Sequence, residues 1–213
     1  APYTFSTTST PANGLLSGNA PQIIYTPNEN FTGTDSFTFE VTDQQNTVES
    51  GTITVTVVGG NIFVDSNAQE VPFVDNGNCT LGEAIHAANT DTAVDGCASG
   101  NGTDVINLAQ GATYTLNTVD NSSMWGINGL PVVTSTIVIN GNNAIIERDS
   151  SPETPDMRMF FVAFGAHLTI DSVTFRNGQL SVEDADASAG GAIRTHGDLT
   201  LSNVVFDTNS VYY

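Results

Sequence analysis

The chain of 213 residues contains no lysine; its four basic side chains, Arg148, Arg158, Arg176 and Arg194, are all arginines. Against them stand 23 Asp and Glu, for a formal net charge of −19. That balance repels phosphate backbones and argues against nucleic-acid binding. Without lysine there is neither a P-loop nor a Schiff-base nucleophile. A Lys–Asn isopeptide crosslink is excluded as well. Charged residues of both signs reach only 13%, about half the usual share. No apolar run is long enough to span a membrane as a helix. No signal peptide is visible, so the chain reads as mature or as a piece of something longer. Two cysteines, three histidines and one tryptophan leave few residues for metal or nucleophile chemistry.

What is abundant is Thr, Asn and Gly, at 28, 21 and 20 residues, with 39% hydrophobic residues, enough for a core. This is the composition of β-strands joined by tight turns. Residues 1–58 carry two period-two patterns. Phe37, Phe39 and Val41 alternate with Ser36, Thr38 and Glu40; Ile53, Val55 and Val57 alternate with Thr52, Thr54 and Thr56. Each pattern predicts a strand with one buried face, and residues 42–46 a hairpin loop between them. Pro11-Ala12-Asn13-Gly14 and Thr26-Pro27-Asn28 add turn signals. A β-sandwich is expected, then a hinge at residues 59–61.

The stretches Thr10–Gly14, Ile24–Asn28 and Phe31–Phe39 resemble bacterial Ig-like or cadherin-like surface repeats. The resemblance implies a sandwich whose leading strands are missing here. Such a sandwich exposes an unpaired edge and an apolar slot, to be filled by residues outside this sequence or by another chain.

In residues 62–213 one helix is expected, over about 80–89. Thr80 and Glu83 fit a capping box, and Leu81, Ala84, Ile85 and Ala88 fall on one face. Gly82 weakens that helix by roughly 1 kcal/mol against Ala. Asn78–Ile85, with Ala88-Asn89 and Asp95-Gly96-Cys97, resembles the CSLREA motif that opens β-helix regions of secreted bacterial proteins, with Gly82 in place of the usual Arg. A repeat follows: Leu168, Ile170, Val173 and Phe175 recur 31 residues later as Leu199, Leu201, Val204 and Phe206, and Ile137 and Ile139 precede them by the same step. Phe161-Val162 is aligned with Ala192-Ile193 at that step too. A fixed period of this size signals a solenoid, with three strands expected in each coil. Gly190–Ile193 and Phe206–Asn209 are similar to the GGAI and FxxN repeats of polymorphic outer-membrane proteins. Those repeats imply right-handed β-helix passengers. The expected fold is therefore all-β: a partial Ig-like sandwich, then the helix-capped first coils of a right-handed parallel β-helix. Both ends read as cut.

Candidate sites are few. Cys79 and Cys97 flank the helix; their spacing suits neither a redox pair nor a metal pair, so a structural disulfide is expected, contributing ~3 kcal/mol and implying an oxidising compartment. Calcium is a candidate ligand at Glu183, Asp184 and Asp186, at Asp35 and Asp43, and around the disulfide loop at Asp91, Asp95 and Asp104. None has an established calcium-loop spacing, and a solvated acidic loop is the simpler expectation. Asp171, Arg176, Arg194, His196 and Asp198 are the only catalytic candidates, with Arg194 and His196 on one strand face, but no catalytic signature surrounds them. Most of the sequons at Asn30, Asn78, Asn101 and Asn121 are expected to be bare if the source is bacterial, as the resemblances imply, and Met124-Trp125 to lie in a packed insert over 117–131. The function expected is that of a non-enzymatic extracellular structural protein of a bacterial surface, an adhesin, stalk or filament subunit. Its partners would be copies of itself, adjacent domains or surface glycans, with no nucleic acid and no membrane span. The alternative is a polysaccharide-binding or polysaccharide-degrading β-helix protein whose active coils lie beyond residue 213.

Overall fold

In the computed structural model, residues 3–28, 31, 33–57, 59–123, 126–181 and 190–212 are described. The chain divides into two compact units, Ala1–Gly59 and Gly60–Tyr213.

The first unit is antiparallel. Strands β1 (Thr4–Thr7), β4 (Gly33–Thr42) and β5 (Val48–Val57) form a three-stranded sheet in the order β1-β4-β5, while β2 (Gly14–Asn19) and β3 (Gln22–Pro27) form a separate hairpin. The alternating Phe/Val and Ile/Val patterns become β4 and β5, paired from Gly33–Val57 to Thr42–Val48. Their loop is an Asx turn: Asp43 Oδ1 accepts from the Gln45 and Thr47 N–H groups, both at 2.8 Å. The β2–β3 hairpin carried no clear sequence signal, and its Leu15 and Ile24 point to solvent. An apolar groove of about 380 Å³ in this unit is lined by Phe5, Ile23, Tyr25, Phe37, Ile53 and Val55, among others.

The second unit is a β-solenoid of about three turns. It begins with β6 (Asn61–Phe63) and, among the described residues, a single helix, α1 (Leu81–Thr90). The first coil contains β7 (Thr103–Asn107), β8 (Thr113–Leu116) and a small antiparallel ribbon of β9 (Asn121–Ser123) and β10 (Gly126–Asn128). Next come β11 (Thr136–Arg148) and β12 (Phe160–Val162), then β13 (His167–Arg176), β14 (Gln179–Ser181) and β15 (Ile193–Thr195). The last coil begins with β16 (Asp198–Ser202), β17 (Val205–Asp207) and β18 (Ser210–Tyr212). One parallel sheet runs β6-β7-β11-β13-β16, and β8 and β17 extend its far half by pairing with β11 and β13. β12–β15 and β14–β18 make the other two walls.

The parallel register stacks like on like. Ile62, Ile106, Ile139, Ile170 and Leu201 form one ladder through successive coils, and the four isoleucines are completely buried. Tyr114, Ile146, Phe175 and Phe206 form a second, with Phe206 stacked on Phe175 at 5.5 Å. The 31-residue step holds for β13 with β16 and β17 and for β14 with β18. It does not hold for the β12 wall, where Phe160 pairs with Ile193 and Phe161 with Arg194, a step of 33. The turn after β12 spans Ala163–Ala166 and the turn after β15 only His196-Gly197. That two-residue difference restores the common step at β13 and β16.

Turns and polar edges account for the Asn and Thr content. Ser172 and Asn203, 31 residues apart, are left-handed at φ 56° and 52°, as are Asn177 and Thr208 at 60° and 53°. Asn209 donates to the Phe175 carbonyl at 2.9 Å and accepts from the Gly178 N–H at 2.8 Å, tying its coil to the one before. Thr208 donates to Asn177 and Asn140 to Asn107 in the same coil-to-coil sense.

Candidate functional site

The solenoid opens under α1 and its disulfide. Thr80 is extended and caps the helix: its hydroxyl oxygen accepts from the Glu83 N–H at 3.3 Å, while Glu83 Oε2 accepts from the Thr80 N–H at 3.0 Å and its hydroxyl at 2.9 Å. These bonds satisfy donors that a helix N-terminus otherwise leaves bare. Leu81, Ala84, Ile85, Ala87 and Ala88 are buried, and the helix lies against β6, β7 and β11. A Cβ on Gly82 would come within 3.2 Å of the Phe73 ring, so a larger residue here requires Phe73 to shift. Cys79 and Cys97 are joined, with Cα atoms 4.6 Å apart, and both are buried. Asp65 accepts from the Cys79 N–H at 2.7 Å. Asp95 holds the segment before the helix by accepting from the Asn76 and Gly77 N–H groups. Burial opposes the Asp95 charge, but these backbone bonds prevail and its pKa is lowered.

The two carboxylates of the first unit named for calcium have structural bonds. Asp35 is nearly buried and accepts from the Ala12, Asn13 and Ser36 N–H groups at 2.8–3.0 Å and from the Tyr25 hydroxyl at 3.1 Å. Burial works against its charge, yet the bonds from Asn13, Ser36, Ala12 and Tyr25 hold its pKa below the ordinary value. Asp43 sits in the β4–β5 loop, at the opposite end of β4 from Asp35. Glu183, Asp184 and Asp186 lie outside the described residues, as do Met124-Trp125 and the sequon at Asn30. Among the described residues no three His, Cys, Asp or Glu side chains gather to hold a metal.

The catalytic candidates separate into local pairs. Arg176 binds Glu147 through Nη2 at 2.6 Å and Nε at 2.8 Å. His167 and Asp198 meet at 2.8 Å on adjacent coils. Asp171 accepts from Ser172 and Asn203. Arg194 Nη2 lies 3.4 Å from His196 Nε2, whose ring meets Phe161 edge-on. Of the sequons, Asn121 uses its amide on the Leu130 carbonyl and Asp120. In the insert, Gln69 accepts from the Asn117 and Thr118 N–H groups and donates to the Thr118 and Gly129 carbonyls.

Three buried charges were not singled out by periodicity. Arg148 donates to the carbonyls of Asp149, Thr154 and Pro155 and faces Asp156 at 3.7 Å. Arg158 is fully buried; burial and then the Arg194 charge lower its pKa to about 10. Asp104 is fully buried too, at a ladder position that Ile137 occupies in the next coil. Asp104 falls in line with Ile137, Leu168 and Leu199 only in the folded register, because it precedes Ile137 by 33 residues and so lies off the 31-residue step.

Comparison with known proteins bears on the first unit. Residues 1–56 match the family model of the bacterial Ig domain. The match covers the antiparallel unit and none of the solenoid. No curated protein and no solved structure matches the chain. A bacterial Ig domain joined to a β-solenoid fits a surface protein, and no helix among the described residues is long and apolar enough to cross a membrane.

Proposed function

We propose that this chain is a non-enzymatic structural segment of a bacterial surface protein, serving as part of an adhesin, stalk or filament. The supporting observation is the unbroken apolar ladder from Ile62 to Leu201, in which each coil is hydrogen-bonded to the next in register. Repeating coils of this kind build length by nearest-neighbour contact, and length is what a stalk or passenger requires. The disulfide suits an oxidising environment outside the cell. The capped helix and the Phe206–Asn209 coil contacts are consistent with the CSLREA and GGAI/FxxN resemblance. Partners would then be adjoining domains, other copies of the chain, or surface glycans.

The test is antibody labelling and protease shaving of intact producing cells. Surface labelling lost on shaving is expected. Protein confined to the cytosol, or purified chain that cleaves polysaccharide, would overturn the reading.

A further inference from the structure

The ladder position of Leu199, Leu168 and Ile137 is taken in the first coil by Asp104. Aliphatic side chains at this position fill the lumen; a carboxylate there loses its hydration and must be compensated. Asp104 is 0% exposed. Its Oδ1 accepts from the Asn101 N–H at 2.6 Å, but Oδ2 has no hydrogen-bond partner.

Two further oxygens lie on the Gly100 side of Oδ2. The point where a Cβ would stand on Gly100 is 2.7 Å from Asp104 Oδ2, 2.9 Å from Asp91 Oδ1 and 3.0 Å from the Ala87 carbonyl oxygen. Because residue 100 is glycine, no side chain intrudes between them. Ala87 carries one of the last four carbonyls of α1, at the negative end of the helix dipole, and the last turn holds no basic residue. Asp91 is the left-handed C-cap of the same helix and is only half-buried, which gives the cluster a route to solvent. Two carboxylates and a helix C-terminus thus converge, and all four arginines of the chain lie on later coils.

We propose that Asp104 Oδ2, Asp91 Oδ1 and the Ala87 carbonyl form a binding site for one Ca²⁺ ion where the end of α1 meets the first coil. The donor set is entirely oxygen, which excludes the nitrogen- and sulfur-rich surroundings preferred by zinc. Two carboxylates match the ion's charge. Calcium accepts irregular sets of six to eight oxygens, with water completing the shell on the Asp91 side, whereas magnesium demands a near-ideal octahedron. The bound ion would fasten the C-terminal end of α1 to the solenoid, as the disulfide fastens its N-terminal side. Asp91 Oδ1 accepts one long bond, from the Gly102 N–H at 3.3 Å, whereas Asp95, nearby in sequence, is taken up by three bonds from the Asn76 and Gly77 N–H groups.

The experiment uses the whole 213-residue chain freed of metal by chelator. Equilibrium dialysis with Ca²⁺ alone at up to about 1 mM, a range typical of extracellular sites, is expected to show one bound ion. Ca²⁺ is expected to raise the thermal midpoint of the solenoid, since a ligand of the native state stabilises it. Asp91→Asn, at a half-buried position, should lower affinity about tenfold or more and abolish the shift. Asp104→Asn should do the same, with circular dichroism showing that both variants remain folded. Asp43→Asn should retain full binding. No binding by the wild-type chain, binding undiminished in both site variants, or an equal response to Mg²⁺ would overturn the proposal.

Discussion

Asp104 shows most directly what one residue can impose on this fold. Burial, only partly offset by the Asn101 N–H and reinforced by the Asp91 charge, raises its pKa to about 6. Between pH 4 and 6 the folded chain therefore holds a proton that the unfolded chain has released. Stability in chelator should fall as pH rises through that window, by about 2 kcal/mol. Asp104→Asn should remove that slope, and urea titrations at several pH values would measure it. Asp35 behaves in the opposite sense. Its folded pKa is depressed, so its contribution is present above the ordinary value of 3.8 and is lost as pH falls through the folded pKa. Arg148 is held by three backbone carbonyls. Arg148→Met would leave the carbonyls of Asp149, Thr154 and Pro155 without their donor and cost about 3 kcal/mol, read from the solenoid's denaturation midpoint.

Among the elements, the coil is the unit of stability. Ile139 is sealed between Ile106 and Ile170, whereas Leu201, in the last coil, is 38% exposed. Ile139→Ala should cost about 2–5 kcal/mol. In the 213-residue chain Leu201→Ala should cost clearly less, because part of its surface is there in water; hydrogen exchange on the two variants would measure the difference. The α1 boundaries and cap were readable from sequence because they rest on neighbours three and four residues apart, Thr80 with Glu83 and Leu81 with Ala84 and Ile85. The β13–β16 step was readable because like residues stack at a constant interval. The β12–β15 register was not, since it depends on turn lengths that only the closed coil reveals.

For the molecule as a whole, the charge of −19 now has a physical setting. Repulsion among exposed carboxylates opposes compactness and is screened over about 10 Å at 0.1 M salt. Raising NaCl from about 10 mM to about 150 mM should raise the thermal midpoint. Calorimetry should also resolve two transitions, one for Ala1–Gly59 and one for Gly60–Tyr213, since each has its own compact packing. A single transition unaffected by salt would contradict both expectations. If the chain assembles with copies of itself, the same repulsion makes that assembly weaker in low salt.

Local chemistry by itself determined the all-β character, the capped helix, the disulfide partners and the 31-residue repeat. Each follows from residue type at short or constant spacing. Only the tertiary structure decided where the acidic residues belong. Asp35 became a clamp on the Ala12-Asn13 turn. Asp104 became a buried carboxylate facing Asp91, because closing the first coil beneath α1 brings Ala87, Asp91, Gly100 and Asp104 to one point. An aspartate on a strand looks alike in sequence whether it faces water or the lumen; the face is set by the register of the coil above it.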